Sequence, residues 1–241
     1  MAFKINWEQV LTKVLDNDVA RVDRNQFLSA TLKPFCTSDD LSKIAFVRPE
    51  SFIEPQLLDH LSKEEVSKHL TRASLISGGA GLMGATTMWL SVPADTVQFV
   101  ANLVIMAQKL AYLYGWDDFF FHNKPTEETY ARLALILGYG AGVREVKDVL
   151  LGIARDSMPN LNETMTHEQF NRNHPLVRKA VSALAGQLTR TLVSGAAAKV
   201  IPLVGAATSG VWSYLSFRPM AERIRLLLSE VMYTRLGSEL R

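Results

Sequence analysis

ASLISGGAGLMGATTMWLSVPA, running from Ala73 to Ala94, contains no charged side chain, and after it Asp95 is the only charge before Lys109. A run so poor in ions is stable only where water is excluded, inside a protein or in lipid. Upstream, Ser62-Lys63-Glu64-Glu65 has the form of a capping box, and Val66, Leu70, Ala73 and Ile76 or Ser77 continue one face. A long helix is therefore predicted to start at Ser62 and run into the glycines. Ser77, Gly81 and Ala85 recur four residues apart, as do Ala80 and Gly84, which leaves one helix face nearly flat. Each glycine costs a helix about 1 kcal/mol relative to alanine, so several together imply a compensating close contact with another backbone or a lipid chain. Pro93 is placed to open the next helix in its first turn, with Asp95 near the positive end of the helix dipole. That helix is expected to run to Tyr114 and stop at Gly115.

The second half of the chain repeats the theme. Val200 to Phe217 is another charge-free run, about the length at which a membrane span first has to be considered. Both runs are rich in Gly, Ser, Thr and Ala and carry a proline, so their hydrophobicity is marginal for insertion. Burial inside a helical bundle is the preferred expectation, with peripheral membrane attachment left open. Gly205 with Ser209, Ala206 with Gly210, and Gly138 with Gly142 repeat the small-xxx-small spacing of close helix crossings.

Around these runs the remaining elements read as amphipathic helices. Asn6 with Gln9 looks like a capping pair for a first helix through Trp7, Val10, Leu11, Val14 and Leu15, ending near Asp16. A second short helix is predicted over Val22 to Leu32, followed by an irregular connection marked by Pro34, Pro49 and Pro55. Thr126 starts a helix that ends at the Gly138–Gly142 break, and Val143 to Ile153 continues separately. Arg155 to His174 reads as a surface loop. Pro175 to Lys199 is helical by periodicity, Arg218-Pro219 kinks or restarts the next helix, and Ala221 to Leu236 finishes with Ile224, Leu227, Leu228, Val231 and Met232 facing inward. The expected fold is all-α: a multi-helix bundle of two apolar, glycine-rich helical hairpins with flanking amphipathic helices. Residues 1–60 are expected to form an N-terminal helical extension to a domain spanning 61–241.

Composition narrows the function classes. With 241 residues, 48% of them hydrophobic, the chain has ample material for a core. Lys+Arg 26 against Asp+Glu 24 leaves no dense positive field for a phosphate backbone, so nucleic acid is not an expected partner. A single cysteine, Cys36, excludes an intramolecular disulfide. The amino terminus lacks the order of a secretory signal, and the expected location is cytoplasmic, with peripheral attachment to the inner face of the membrane left open.

Gly79-Ala80-Gly81-Leu82-Met83-Gly84 matches the dinucleotide fingerprint GxGxxG, but a capped helix already runs into it where a phosphate cradle needs a preceding strand, and Ala85 stands where a phosphate loop has its lysine. Gly78, Gly79, Gly81, Gly84, Gly205 and Gly210 are accordingly read, with Asp95, as residues of a ligand-binding or close-packing surface. Asp95 stands alone among uncharged neighbours and must be capped, paired or protonated. The five histidines show neither HExxH nor an i,i+4 pair, and no serine sits in a GxSxG elbow. No metal, cofactor or catalytic group is expected. Trp116, Phe119, Phe120 and Phe121 beside Asp117 and Asp118 either fold back onto the core or form an interface.

Three stretches in this order resemble the EcsC family of helical proteins. They are Ser77 to Gly84 leading to Pro93-Ala94-Asp95, then Ala107 through Leu110-Ala111-Tyr112-Leu113-Tyr114-Gly115-Trp116-Asp117, and Ile201-Pro202-Leu203-Val204-Gly205-Ala206. The resemblance covers roughly residues 60 to 236. It implies an all-helical fold and, for the founding members, an association with a membrane-transporter operon. Together these readings lead to the expectation of a non-catalytic helical protein that binds a lipid-like ligand, a membrane surface or a membrane-protein partner. The alternative is a soluble adaptor or immunity-type interaction module whose apolar helices are only its core.

Overall fold

Asn6 accepts the Gln9 amide and so caps α1 (Trp7–Leu15), which buries Val10, Leu11, Val14 and Leu15. In the computed structural model, which describes residues 6–77, 94–156, 172–198 and 205–239, a 3-10 turn at Asp18–Ala20 then leads to α2 (Arg24–Leu32), capped by Asp23. The segment expected to be irregular holds a short helix, α3 (Ser38–Lys43). Thr37 and Asp40 each bind the other's backbone amide there, a reciprocal cap that one turn of sequence periodicity is too short to reveal.

The long helix α4 spans Pro55–Ser77, starting about two turns before Ser62. This corrects the expected start. Pro55 fits the first helical position, where its missing amide is no loss, and the Leu57 and Leu58 amides turn back to the Glu54 carbonyl. Ser62 lies inside the helix, fully buried, its hydroxyl 2.8 Å from the Asp59 carbonyl and 2.7 Å from the Tyr114 hydroxyl. The division expected after residue 60 thus falls within one helix, and Leu11, Leu28, Leu32 and Leu58 share a single hydrophobic cluster with Leu103, Leu110 and Leu228.

Next come α5 (Ala94–Leu113), α6 (Glu127–Gly140), α7 (Val146–Asp156), α8 (Pro175–Ala198) and α9 (Gly205–Glu239). Helices α5 and α6 end alike. The Gly115 amide bonds the Tyr112 carbonyl and the Trp116 amide that of Ala111; Gly142 bonds Tyr139 and Val143 bonds Gly138. Both are Schellman closures with a left-handed glycine, φ 78° at Gly115 and 106° at Gly142. Residues 218–219 do not restart a helix. Pro219 lies within the continuous α9, on its exposed side, where water can take the hydrogen bond the ring cannot make.

Cross-helix contacts fix the directions. Asp59 with Tyr114, Glu65 with Lys109 and His69 with Asn102 set α4 and α5 antiparallel. Arg235 with the Tyr114 carbonyl, and Phe99 against Phe217 edge-on at 5.5 Å, set α9 parallel to α5. Helix α6 joins α8 to α9: Gly138 faces Ala180, and Gly140 faces Ile224 and Met220. Nine α-helices and no β-strand occur among the described residues, so the chain is an all-α multi-helix bundle. No helix among the described residues is long and apolar enough to cross a membrane.

Candidate functional site

Gly78, Gly79, Gly81 and Gly84 lie outside the described residues. Asp95 is the second residue of α5, Gly205 the first residue of α9, and Gly210 lies in the next turns of α9. The backbone thus places Asp95 in an amino-terminal turn, where the helix dipole favours a carboxylate; the packing around these three residues is outside the described part.

What the fold does establish is where the described helices that flank the two charge-free stretches end. Asp59 of α4 bonds both the Tyr114 hydroxyl beyond α5 and Ser229 of α9, so these three residues share one level. At about 1.5 Å per residue, the end of α4 at Ser77, the start of α5 at Ala94 and the start of α9 at Gly205 lie roughly 27, 30 and 36 Å from that level, all in the same direction. Ala180 sits near the level of Met220 and Ile224 through α6, and from there α8 runs to Ala198 over about the same length as α9 back to Gly205. Four helix ends, at Ser77, Ala94, Ala198 and Gly205, therefore gather at one end of the molecule. The α5 helix joins this end to the other without a charge between Asp95 and Lys109.

The opposite end is polar and locked. Glu50 and Arg235 form an ion pair with both side chains 3% exposed, and Arg235 Nη2 donates to the Tyr114 carbonyl at 2.9 Å. Arg24, also buried, donates from Nε to the Trp116 carbonyl at 2.9 Å and from Nη1 to the Ile44 carbonyl at 2.8 Å. Two guanidiniums from α2 and α9 thus satisfy the carbonyls at the negative end of α5. Burial lowers the Arg24 pKa, opposed by Asp117 and by Tyr112 and Asp118. Around Asp59, the hydroxyls of Tyr114, Ser229 and Tyr233 donate at 2.7, 2.8 and 3.1 Å. Every one of these contacts joins different elements, and their chemistry is that of structural fasteners.

Between the two ends lies a buried titratable cluster. Asn102 Nδ2 donates to the His69 carbonyl at 3.1 Å, which orients the amide so that its oxygen accepts from His69 Nδ1 at 2.6 Å. His69 is 3% exposed, and burial drives its pKa down to about 4 against the opposing Asn102 bond, so the ring is neutral near pH 7. Its Nε2 lies 3.9 Å from Glu65, too far for a hydrogen bond. Burial works against the Glu65 charge, but Lys68 at 2.7 Å and Lys109 at 3.1 Å overcome it and hold the carboxyl below its usual range. A neutral imidazole beside a carboxylate is capable of proton transfer. An open cleft lies elsewhere among the described residues.

That cleft has a volume of about 580 Å³ and lies between the start of α1, α6 and α8, lined by Trp7, Tyr130, Arg172, Arg178, Val181 and Ser182 among others. Arg172 stacks 4.6 Å over the Tyr130 ring and grips Glu127 with two nitrogens, at 2.8 and 2.7 Å. Desolvation raises the Tyr130 pKa, and its buried hydroxyl has no hydrogen-bond partner among the described residues. The paired arginine and the neighbouring Glu8 leave mixed charge rather than a convergent catalytic set. No three His, Cys, Asp or Glu side chains among the described residues gather around a metal position.

The aromatic segment after α5 folds back. Trp116, Phe119 and Phe120 are buried, with Trp116 and Phe119 stacked at 6.1 Å, whereas Phe121 is 69% exposed. Asp118 turns the chain inward by accepting the Phe120 amide at 2.9 Å and the Tyr112 hydroxyl at 3.1 Å, and Thr129 bonds the Phe119 carbonyl. His122 and Asn123, both left-handed, then close a tight turn that pushes Phe121 out. As an interface the segment reduces to Phe121. Sequence reasoning missed the His69–Asn102 and Glu50–Arg235 pairs, because partners 33 and 185 residues apart leave no local spacing signal.

No protein-family profile matches the chain, and no curated protein or solved structure is significantly similar to it.

Proposed function

We propose that this chain is a non-catalytic helical protein that acts through its ion-poor end, binding a lipid-like ligand, a membrane surface or a membrane-protein partner. One observation carries the reading: the four helix ends flanking the two charge-free stretches gather at the same end of the bundle, while the buried Glu50–Arg235 ion pair occupies the other. Helix ends that lead into ion-free sequence at one pole suit a lipid or membrane partner, which would keep the polar pole in water while the other is withdrawn from it. The resemblance to the EcsC family, whose founding members are associated with a membrane-transporter operon, points the same way. The cytoplasmic side of a membrane is the setting this reading implies.

Native mass spectrometry of the chain purified without detergent, together with fractionation of the cells that express it, tests the reading. Co-purifying lipid, or recovery with membranes, is the expected result. Recovery solely in the soluble fraction, lipid-free, would overturn it in favour of an interaction module whose apolar helices are only its core.

A further inference from the structure

The cleft between α1, α6 and α8 is walled by described residues, and two of its polar groups have nothing to bind. Its floor is one face of α8, where Arg178, Val181, Ser182 and Ala185 line up at helical spacing. The side chains become smaller toward Ala185, which leaves room above them. One wall is Trp7, the first residue of α1, whose indole Nε1 donates to Thr189 at 3.2 Å and so holds the ring against α8. The other is Tyr130, near the start of α6, with Arg172 laid over its ring.

Arg172 is fully committed: Glu127 takes two of its nitrogens, and the third lies 3.4 Å from the Thr12 hydroxyl. Arg178 is not. Its exposed side chain lines the cleft, and its guanidinium meets no acceptor among the described residues. Tyr130 is 2% exposed, and its hydroxyl also lacks a partner among them. Burial keeps that phenol protonated and therefore a donor. A buried hydroxyl left unsatisfied is exceptional in a folded protein and calls for an acceptor that the chain itself does not supply. Asn6, whose side-chain oxygen already caps α1, and Ser182 add an amide and a hydroxyl to the lining. Glu8 is the one acid that lines the cleft among the described residues.

We infer that this cleft binds a small aromatic carboxylate, its charge taken by Arg178, its oxygens completing the Tyr130 hydroxyl and its ring lying against Trp7 and Val181. The excess of donors selects an acceptor-rich group. One free guanidinium with Glu8 close by matches a single negative charge better than the double charge of a phosphate monoester. The indole and the aliphatic side chains of Val181 and Ala185 select a flat apolar body, and about 580 Å³ is the volume of a small-molecule site. The inference goes beyond the functional reading above and does not depend on it, since no residue lining the cleft belongs to either charge-free stretch.

Titration calorimetry of the full chain with naphthoate and with its uncharged counterpart, naphthalenemethanol, is the test. Naphthoate is expected to occupy one site per chain and to bind about ten-fold more tightly than the alcohol. R178Q should erase that preference. Y130F should weaken naphthoate binding about five-fold with no loss of melting temperature, because the free chain gives that hydroxyl no bond to lose. S182F, at an exposed position, should fill the cleft and block both probes, whereas K63Q, an exposed cation on α4, should bind like the parent; helical circular dichroism checks that each variant folds. Equal affinity for the two probes, or R178Q or Y130F binding like the parent, overturns the inference. Binding that survives S182F places the probe elsewhere on the molecule and overturns it too, as does the absence of binding.

Discussion

His69 is a titratable side chain whose state the fold controls. Its folded pKa of about 4 lies below the ordinary 6.5, so between those values the unfolded chain takes up a proton that the folded one refuses. Stability from this residue is complete above pH 6.5, declines as pH falls through that window, and is exhausted below 4, a loss of about 3 kcal/mol. Urea unfolding across this range should show that slope in the native sequence and a slope reduced by about one proton in H69Q; an unchanged slope would mean that His69 is not the group responsible. Glu50 and Arg235 form the second residue-scale test. Removing one partner strands a buried charge, so E50Q or R235M is expected to cost about 3–5 kcal/mol in chemical unfolding. Gly115 is tied to the same pair: its φ is left-handed, and a Cβ there would lie 2.6 Å from Arg235 and collide with the Glu50 carboxylate. No local motif announces the Glu50–Arg235 pair or the His69–Asn102 bond, because the partners come from different elements.

Helices were legible where their signals are local. The Asn6 cap, the Thr126 start and the Gly115 stop all sit where the sequence puts them, since capping chemistry spans only a few residues. Ser62 misled because its S-x-x-E spacing also suits a buried hydroxyl inside a helix, here bonded to Tyr114. The Gly138 and Gly142 pair divides similarly: four residues apart, they serve different ends, one a helix contact and the other a left-handed cap. A Cβ at Gly138 would lie 2.7 Å from the Ala180 Cα, so G138A should destabilise by about 1–3 kcal/mol through overpacking of α6 on α8. Gly186 of α8 meets nothing within 4 Å, and G186A should stabilise by up to about 1 kcal/mol. Thermal unfolding of the two variants side by side decides whether glycine in this bundle marks contact or only tolerance; shifts of the same sign would count against the distinction.

At the scale of the molecule, the ion-free stretches and their separation by amphipathic helices could be read from the chain alone, because the absence of charge is a property of sequence. That the helix ends flanking them gather at one pole could not be, since it depends on the register of α4, α5 and α9 that Asp59, Tyr114, Phe99 and Phe217 reveal. The tryptophans divide along the same line: Trp89 and Trp212 belong to the charge-free stretches, Trp7 and Trp116 to the rest. Emission of W7F/W116F, mixed with phosphatidylglycerol-containing vesicles whose acyl chains are brominated, therefore reports the ion-poor pole alone. The account predicts strong quenching, with little in W7F/W89F/W212F, which keeps only Trp116 at the opposite end because Trp7 bonds Thr189 of α8. Equal quenching of the two variants, or none in W7F/W116F, would contradict it.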